Sequence, residues 1–319
     1  MITLYIICGA VGFLAFLFLG LSYYAYRVTF FSDRSKKRDP YKGIDKRGYK
    51  PYAERIRGLI DNILSIPYER VEITARDGTK LCARYYHACD GAPLLIECHG
   101  YRSLSVRDFA GSAKTYRQHP YNMLLIDQRA HGESGGKVIS FGIKERFDVL
   151  DWINYATERF GDDVNILLYG ISMGAATVIM AAGLPLPKNV RCVIADCPYS
   201  SALDIIAKVG AELGFPGILI KPLAIAGARI FGGFSITSDS PREAVRRAKI
   251  PILLIHGDAD TFVPDYMSDE IKAQNPSVIL EKIPGAEHAV CYLADTERYV
   301  SLFDGFADEN LKGDQIEDQ

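Results

Sequence analysis

The sequence predicts an α/β fold, in which a mostly parallel, eight-stranded sheet carries helices on both faces. Short runs rich in Val, Ile and Leu recur along the chain, each bounded by Gly, Pro or Asp, which is typical of buried parallel strands. Helical patterns separate most of these runs, so strands and helices alternate. The alternation begins only after about residue 65, and an apolar stretch and a basic segment precede it.

Residues 1–26 contain no charged side chain and predict a transmembrane anchor. As a helix this stretch would be roughly 39 Å long at about 1.5 Å per residue, enough to cross a hydrocarbon core of about 30 Å. Tyr23, Tyr24 and Tyr26 crowd its end, where membrane helices carry aromatic residues. The alternative is a cleaved signal peptide, which needs a basic start, whereas the first basic side chain here is Arg27.

Residues 27–64 predict a basic juxtamembrane linker. Between Arg27 and Arg57 there are eleven Lys or Arg and four Asp or Glu, a local charge of +7, so the rest of the chain carries −9 of the total of −2. A nucleic-acid surface would set such charge on a folded face with aromatic partners. Directly after an apolar helix, it instead favours a bilayer surface as the partner and argues against nucleic acid.

The main domain is expected to span residues 65–306, followed by an acidic tail at 307–319. Two runs, Val71–Ala75 and Leu81–Tyr86, flank a Gly-containing turn and predict a hairpin. Six further runs predict the parallel strands: Leu94–Cys98, Met123–Ile126, Val164–Tyr169, Cys192–Ala195, Ile252–Ile255 and Val278–Ile283. The clearest helical patterns between them are Ile143–Arg159 and Met173–Ala182.

The cysteines predict neither disulfides nor a metal site. Their number is odd and no pair has zinc-like spacing, so free thiols in a reducing compartment are expected. The seven are Cys8, Cys82, Cys89, Cys98, Cys192, Cys197 and Cys291.

Gly170-Ile171-Ser172-Met173-Gly174 has the G-x-S-x-G spacing of a nucleophile elbow. Such an elbow is a sharp strand-to-helix turn, and residues two before and two after the serine must be small to avoid clashes. The predicted strand Val164–Tyr169 precedes it, and small residues after it open a helix whose N-terminus favours developing negative charge. Ser172 is therefore the candidate nucleophile.

A serine hydroxyl needs a base that an acid holds in register, and after an elbow of this kind the acid and then the histidine follow along the chain. Two histidines lie downstream of the serine. His256 ends a strand and is expected to be structural, whereas His288 lies in the loop after the last strand and is the candidate base. Asp260 is the expected acid, with Asp258 and, more weakly, Asp196 as alternatives.

An oxyanion needs two donors that are aimed before the charge develops. The N–H of Met173, directly after the serine, is one candidate, and the N–H of Tyr101 in the loop His99–Ser103 is the other. The Tyr101 phenol is either a further contributor or a packing aromatic. His131 precedes the serine, on a different loop, and is expected to be a structural brace.

About fifty residues between two predicted strands, approximately 203–248, form an insertion that is apolar in much of its length. It predicts a helical cap over the site. The alternative is a second membrane segment, but charged residues interrupt each run before it reaches spanning length, namely Lys208, Glu212, Lys221 and Arg229.

Together these features resemble the α/β-hydrolase superfamily over roughly residues 65–306. The motifs that carry the resemblance are Gly170–Gly174, Asp127–Ser134, His256–Pro264 and Gly285–His288. The resemblance implies the eight-stranded sheet and a triad of Ser172, Asp260 and His288. Ala130 stands where the family commonly has glycine, which puts the conformation of that loop in question.

One segment resembles a membrane-anchored bacterial branch of serine hydrolases near the acylaminoacyl-peptidase and acyl-CoA thioesterase C-terminal groups. This segment is Asp196-Cys197-Pro198-Tyr199-Ser200-Ser201. The expected activity is cleavage of a carboxylic ester or thioester through an acyl-enzyme, and no cofactor is expected. A small-molecule acyl substrate is favoured because an apolar cap beside a bilayer suits an acyl chain. The alternatives are a serine peptidase or amidase, an acyltransferase, and a catalytically idle membrane-bound binding protein.

The charge distribution predicts that the catalytic domain faces the cytoplasm, because positive residues within about 15–20 residues of a membrane helix resist translocation. Seven such residues follow the helix: Arg27, Arg34, Lys36, Lys37, Arg38, Lys42 and Lys46. A fluorescent-protein fusion at Gln319 in a bacterial host should fluoresce, and a phosphatase fusion there should be inactive. Strong phosphatase activity without fluorescence would place the domain outside.

Overall fold

The computed structural model describes residues 1–33, 39–112 and 121–311 of the chain. Part of the basic segment that supports the prediction of sidedness, Arg34 to Arg38, lies outside the described residues. So does most of the predicted acidic tail, residues 312–319.

Eight strands form one sheet in the order β1-β2-β4-β3-β5-β6-β7-β8. Strand β2 is antiparallel to β1 and to β4, and all other neighbours are parallel. The predicted eight-stranded, mostly parallel sheet is thereby confirmed. The strands are β1 (Glu69–Thr74), β2 (Lys80–Tyr86), β3 (Leu94–Cys98), β4 (Asn122–Asp127), β5 (Ile166–Ile171), β6 (Val190–Asp196), β7 (Ile252–Gly257) and β8 (Ile279–Ile283).

Helices cover the sheet, and each face buries its own apolar layer. On one face Leu95 and Leu167 pack with Phe303, whereas on the other Ile96 and Leu168 pack with Trp152. Alternate residues of a strand point to opposite faces, which is why these central strands are apolar throughout. The α-helices are α1 (Ile2–Thr29), α2 (Ala53–Ser65), α3 (Ser105–Asp108), α4 (Glu145–Phe160), α5 (Met173–Ala182), α6 (Ala202–Glu212), α7 (Gly217–Ala226), α8 (Pro241–Ala244), α9 (Tyr266–Lys272), α10 (Cys291–Ala294) and α11 (Thr296–Leu311).

The interpretation of residues 27–64 as a linker is wrong for its second half. Helix α2 places Ile56, Leu59, Ile60 and Ile63 in the core of one sheet face, and Ile60 and Ile63 are fully buried. These positions follow the i, i+3, i+4, i+7 spacing of an amphipathic helix. The high net charge of the segment belongs to the remaining positions and obscured this apolar face.

Helix α1 is long and apolar enough to cross a membrane, with a mean hydropathy of 2.5 in an 18-residue window of which nothing is buried. A signal sequence near the N-terminus shares this length and composition. The helix continues past the predicted boundary at residue 26 because its last turns pack into the domain. Ser22 and Phe30 are fully buried, and the Phe30 ring lies 5.4 Å from that of Phe234.

The insertion at 203–248 is helical, as predicted. It contains most of α6 together with α7 and α8, and α7 runs into a π-helical turn at Gly227–Phe231. Helix α7 and the π-helical turn pack against α1. The predicted start of the acidic tail at residue 307 is corrected, because α11 extends to Leu311 and Ala307 is fully buried.

Candidate active site

Ser172 occupies a sharp turn between β5 and α5. Its backbone has φ 56° and ψ −114°, a conformation that side-chain-bearing residues rarely adopt. The two motif glycines leave no room for a side chain: a Cβ on Gly170 would lie 2.3 Å from the carbonyl oxygen of Gly174, and one on Gly174 would lie 1.7 Å from that of Cys98. The spacing of the motif is thus explained by close packing of α5 against β3 and β5.

The structure brings Ser172, His288 and Asp260 together in one chain of hydrogen bonds. Ser172 Oγ lies 3.0 Å from His288 Nε2, and His288 Nδ1 lies 2.6 Å from Asp260 Oδ2. A carboxylate only accepts, so Nδ1 carries the proton in the neutral ring and Nε2 is left to accept from the serine hydroxyl. The three side chains come from the loops after β5, β7 and β8, which meet at the carboxyl edge of the sheet.

Asp260 is held from both of its oxygens. Oδ1 accepts from the N–H groups of Phe262 and Val263, each at 2.9 Å. Oδ2 lies 3.3 Å from Nε2 of the fully buried His256, whose other nitrogen is 2.6 Å from Ser268 Oγ. Burial opposes ionisation of Asp260, but the hydrogen bonds from His256 and His288 outweigh it and hold the pKa of the carboxyl well below its ordinary value.

The two alternative acids occupy other positions. Asp258 is exposed and accepts the N–H of Gly285 at 2.7 Å. Asp196 is buried beside the site, where its Oδ2 accepts from the Tyr299 hydroxyl at 3.0 Å, and burial raises its pKa. Of the three candidate carboxylates, the hydrogen bond to His288 is made by Asp260.

The loop after β3 lies directly against the serine. A Cβ on Gly100 would be 3.6 Å from that of Ser172, and the N–H of Gly100 is anchored by Asp108 Oδ2 at 2.8 Å. His131 accepts the N–H of Arg102 at 3.0 Å through Nε2, while its Nδ1 lies 2.9 Å from the carbonyl oxygen of Arg129. The ring therefore fixes the loop that carries Tyr101, which agrees with its interpretation as a brace.

The Tyr101 phenol is hydrogen-bonded to the end of α1. Its hydroxyl donates to the carbonyl of Thr29 at 2.7 Å, in the last turn of α1. The Arg102 guanidinium donates to the carbonyls of Val28 and Phe31 at 2.8 and 3.2 Å. These carbonyls belong to a helix end, where the last acceptors lack intrahelical partners. Side chains of the loop beside Ser172 thus cap α1.

A cavity of about 240 Å³ lies beside Ser172 and His288. Its walls include Tyr49 and Arg107. These two residues also line a second cavity of about 70 Å³, which lies between α2 and α11. Among the residues that the structure describes, none from 203–248 lines either cavity. The insertion supports the rim instead, through a 2.6 Å hydrogen bond from Lys208 Nζ to the carbonyl of Thr261.

Tyr49 is a wall residue that the sequence interpretation missed. It lies in a segment read as a linker, and its ring receives the guanidinium of Arg107 at 5.1 Å. The available signal was the set of tyrosines among the charges of this segment, Tyr41, Tyr49 and Tyr52, which all pack against the core.

Ligand atoms of Cys197, Asp260 and His288 lie within 4.8 Å of one another, a spacing that a metal ion could bridge. A cysteine binds metal as its thiolate. Burial, reinforced by the charges of Asp196 and Asp260, raises the pKa of the Cys197 thiol well above its ordinary value. Two of these three groups, Asp260 and His288, are already hydrogen-bonded to each other in the arrangement of a triad.

This chain is similar to several known proteins. The family model described as alpha/beta hydrolase fold matches residues 93–216, which include Ser172. The uncharacterized protein YqkD of Bacillus subtilis is 27% identical over 228 residues, covering 70% of this chain and 74% of its own length. The thiohydrolase aneE of Aspergillus aculeatus is 30% identical over 155 residues, 46% of this chain and 48% of its own.

Among solved structures, the esterase Pf2001 of Pyrococcus furiosus superposes with a TM-score of 0.64 at 26% identity. The superposition covers 78% of this chain and 93% of that one. Est1E from Butyrivibrio proteoclasticus, solved with ferulic acid bound, gives a TM-score of 0.57 at 23% identity and supports the fold alone.

Substitution of the two aspartates tests which of them orients His288. Asp260→Asn should lower kcat steeply, because an amide no longer stabilises the protonated imidazole, whereas Asp258→Asn should be mild because Asp258 contacts a loop N–H. His288→Ala should lose roughly 10³-fold or more, as removal of a triad base does. Steady-state ester hydrolysis would measure all three, and a severe Asp258→Asn with a mild Asp260→Asn would reverse the assignment.

Proposed function

We propose that this chain, an α/β hydrolase, is a membrane-anchored serine hydrolase that cleaves a carboxylic ester or thioester through an acyl-enzyme. The observation that carries the proposal is the continuous path of hydrogen bonds from Ser172 Oγ through His288 to Asp260. The likeness to the esterase Pf2001 and to the thiohydrolase aneE supports the reaction class.

In the proposed mechanism Ser172 Oγ attacks the substrate carbonyl carbon while His288 Nε2 takes the hydroxyl proton. Asp260 stabilises the imidazolium that forms. The developing oxyanion accepts from the N–H groups of Met173 and Tyr101. Met173 is the first residue of α5, so its N–H has no intrahelical acceptor and is available for this purpose.

The tetrahedral intermediate then collapses and the carbon–oxygen or carbon–sulfur bond of the substrate breaks. His288 returns its proton to the departing alcohol or thiol, and the acyl group stays on Ser172. A water molecule enters, His288 removes its proton, and a second tetrahedral intermediate releases the carboxylic acid and restores the serine.

Two neighbouring cavities that share lining residues support an acyl substrate. The larger one borders Ser172 and His288, and the wall of the smaller one includes the apolar side chains of Ile56, Leu59 and Phe303. Binding of an apolar acyl chain against such a wall is favourable, because it removes apolar surface from water. Helix α1 supports membrane attachment, and cytoplasmic orientation remains part of the proposal on the basis of charge.

A fluorophosphonate probe should label the protein at Ser172, and p-nitrophenyl esters of graded chain length and acyl-CoAs should be hydrolysed. Ser172→Ala should lose both labelling and turnover, because it removes the hydroxyl that is hydrogen-bonded to His288 Nε2. Undiminished labelling of Ser172→Ala, located by peptide mass spectrometry, would exclude this nucleophile.

Leu59 should influence acyl-chain length, because its side chain lines the smaller cavity. Leu59→Ala should raise kcat/KM for long-chain esters relative to acetate by enlarging that cavity. The ratio between two substrates is independent of the fraction of folded enzyme, so a loss of stability does not imitate the effect.

Two matched controls accompany this variant. Leu64→Ala changes an exposed residue of the same helix, and Phe215→Ala changes an exposed residue of the insertion. Neither should alter the ratio when assayed in detergent. If Phe215→Ala changed the ratio of kcat/KM values as much as Leu59→Ala does, the insertion would take part in chain-length selection.

A further inference from the structure

The insertion exposes large apolar side chains over a short stretch. Leu213, Phe215, Ile218, Leu219 and Ile230 have exposed fractions of 71, 49, 84, 46 and 54%. In the rest of the described domain, residues 39–112 and 121–311, only four such side chains are exposed, and they are spread along the chain: Leu64, Tyr68, Tyr266 and Ile279. Exposed apolar side chains that are concentrated in one segment in this way are typical of an interaction site in a folded protein.

Ring contacts and one close backbone approach fix the direction in which this stretch runs along α1. Phe234 contacts Phe30, and Phe231 contacts Tyr23 at 5.1 Å between ring centroids. A Cβ on Gly227 would lie 2.7 Å from the carbonyl oxygen of Ser22. As the chain is followed back from residue 234 to 227, its partner on α1 therefore moves from residue 30 to 22.

Helix α7 directly precedes Gly227 and also contacts α1, so it continues this antiparallel course towards the exposed apolar part of α1. Its ten residues extend about 15 Å at roughly 1.5 Å each. The turn between α6 and α7 lies at the far end of that course. It therefore stands beside the part of α1 that precedes Ser22 and has no buried residue.

The turn between α6 and α7 carries no charged side chain, and the charged side chains that flank it form ion pairs. Residues 213–220 read Leu-Gly-Phe-Pro-Gly-Ile-Leu-Ile, without an ionisable side chain. The nearest charged residues on either side are Glu212 and Lys221. Glu212 forms an ion pair with Lys208 at 2.7 Å, and Lys221 forms one with Asp204 at 2.7 Å. The pairing leaves an apolar tip with a polar base.

We propose that this tip, residues 213–220, inserts into the leaflet on the domain side of the bilayer that α1 crosses, as a second attachment that does not span the membrane. Helices α6 and α7 have eleven and ten residues, about half of what a spanning helix needs. The inference rests on the proposed membrane anchoring by α1. A bilayer is the occupant that the exposed surface favours, because the tip continues the apolar surface of α1.

Tryptophan scanning of the full-length protein in phosphatidylcholine vesicles tests the inference. Trp152 is the single native tryptophan and is fully buried, so it gives a constant background. Phe215→Trp and Ile218→Trp should give blue-shifted emission that lipids brominated in the acyl chain quench severalfold more strongly than they quench the native protein. Tyr266→Trp, on the exposed side of α9, is the matched control and should not be quenched.

Three results would overturn the inference, and they are distinguishable. In the first, the protein sediments with the vesicles but tryptophans at positions 215 and 218 are quenched no more strongly than one at 266. This result would show that the tip lies in water while α1 remains an anchor. Blue-shifted emission without bromine quenching, together with crosslinking of cysteines introduced at the tip, would assign the surface to a second copy of the chain. Failure of the native protein to sediment with vesicles would remove the anchor and the tip together.

Discussion

The strained turn at Ser172 is the constraint on which the site depends. A residue with a side chain held at φ 56° costs of order 1–3 kcal/mol and persists only where its surroundings fix it. Here β5 and α5 are buried along their whole length, and the N–H of Ser172 donates to the carbonyl of Asp196 on β6 at 2.8 Å. The sheet therefore determines where the Ser172 hydroxyl points, and the other proposed catalytic groups, His288 and Asp260, are placed relative to it.

Backbone strain is concentrated at the same edge of the sheet. Five of the six described non-glycine residues with positive φ lie on loops that follow a parallel strand at its carboxyl end: Arg102, Ala130, Ser172, Cys197 and Ala289. Ala130 has φ 62°, a backbone conformation that glycine adopts with less strain, while its buried side chain packs in the cluster that contains Phe30. The fold thus tolerates unfavourable conformations where loops from neighbouring strands must converge on one point.

Sequence reasoning succeeded where the signal is local. The strands and the elbow are encoded by short apolar runs and by two glycines at fixed spacing, and α5 begins and ends at the predicted residues. Asp260 and Asp258 are two residues apart on one loop, and the turn that hides one and exposes the other is a tertiary property. Helix α2 was missed because its four core residues are a minority within a strongly basic segment, and charge dominated the interpretation of the whole segment.

The end of α1 is bound to the loop that carries one of the proposed oxyanion donors, whereas a helix that served only as a flexible anchor would not contact it. Tyr101 carries a proposed oxyanion donor on its backbone, and its side chain is bound to the end of α1 through the carbonyl of Thr29. Arg102, beside it, binds two further carbonyls at that helix end. Phe30 fills the cluster that also contains Met173, the residue that carries the other proposed donor. The end of α1 is therefore bound directly to the loop that carries one proposed donor and packs in the same apolar cluster as the residue that carries the other.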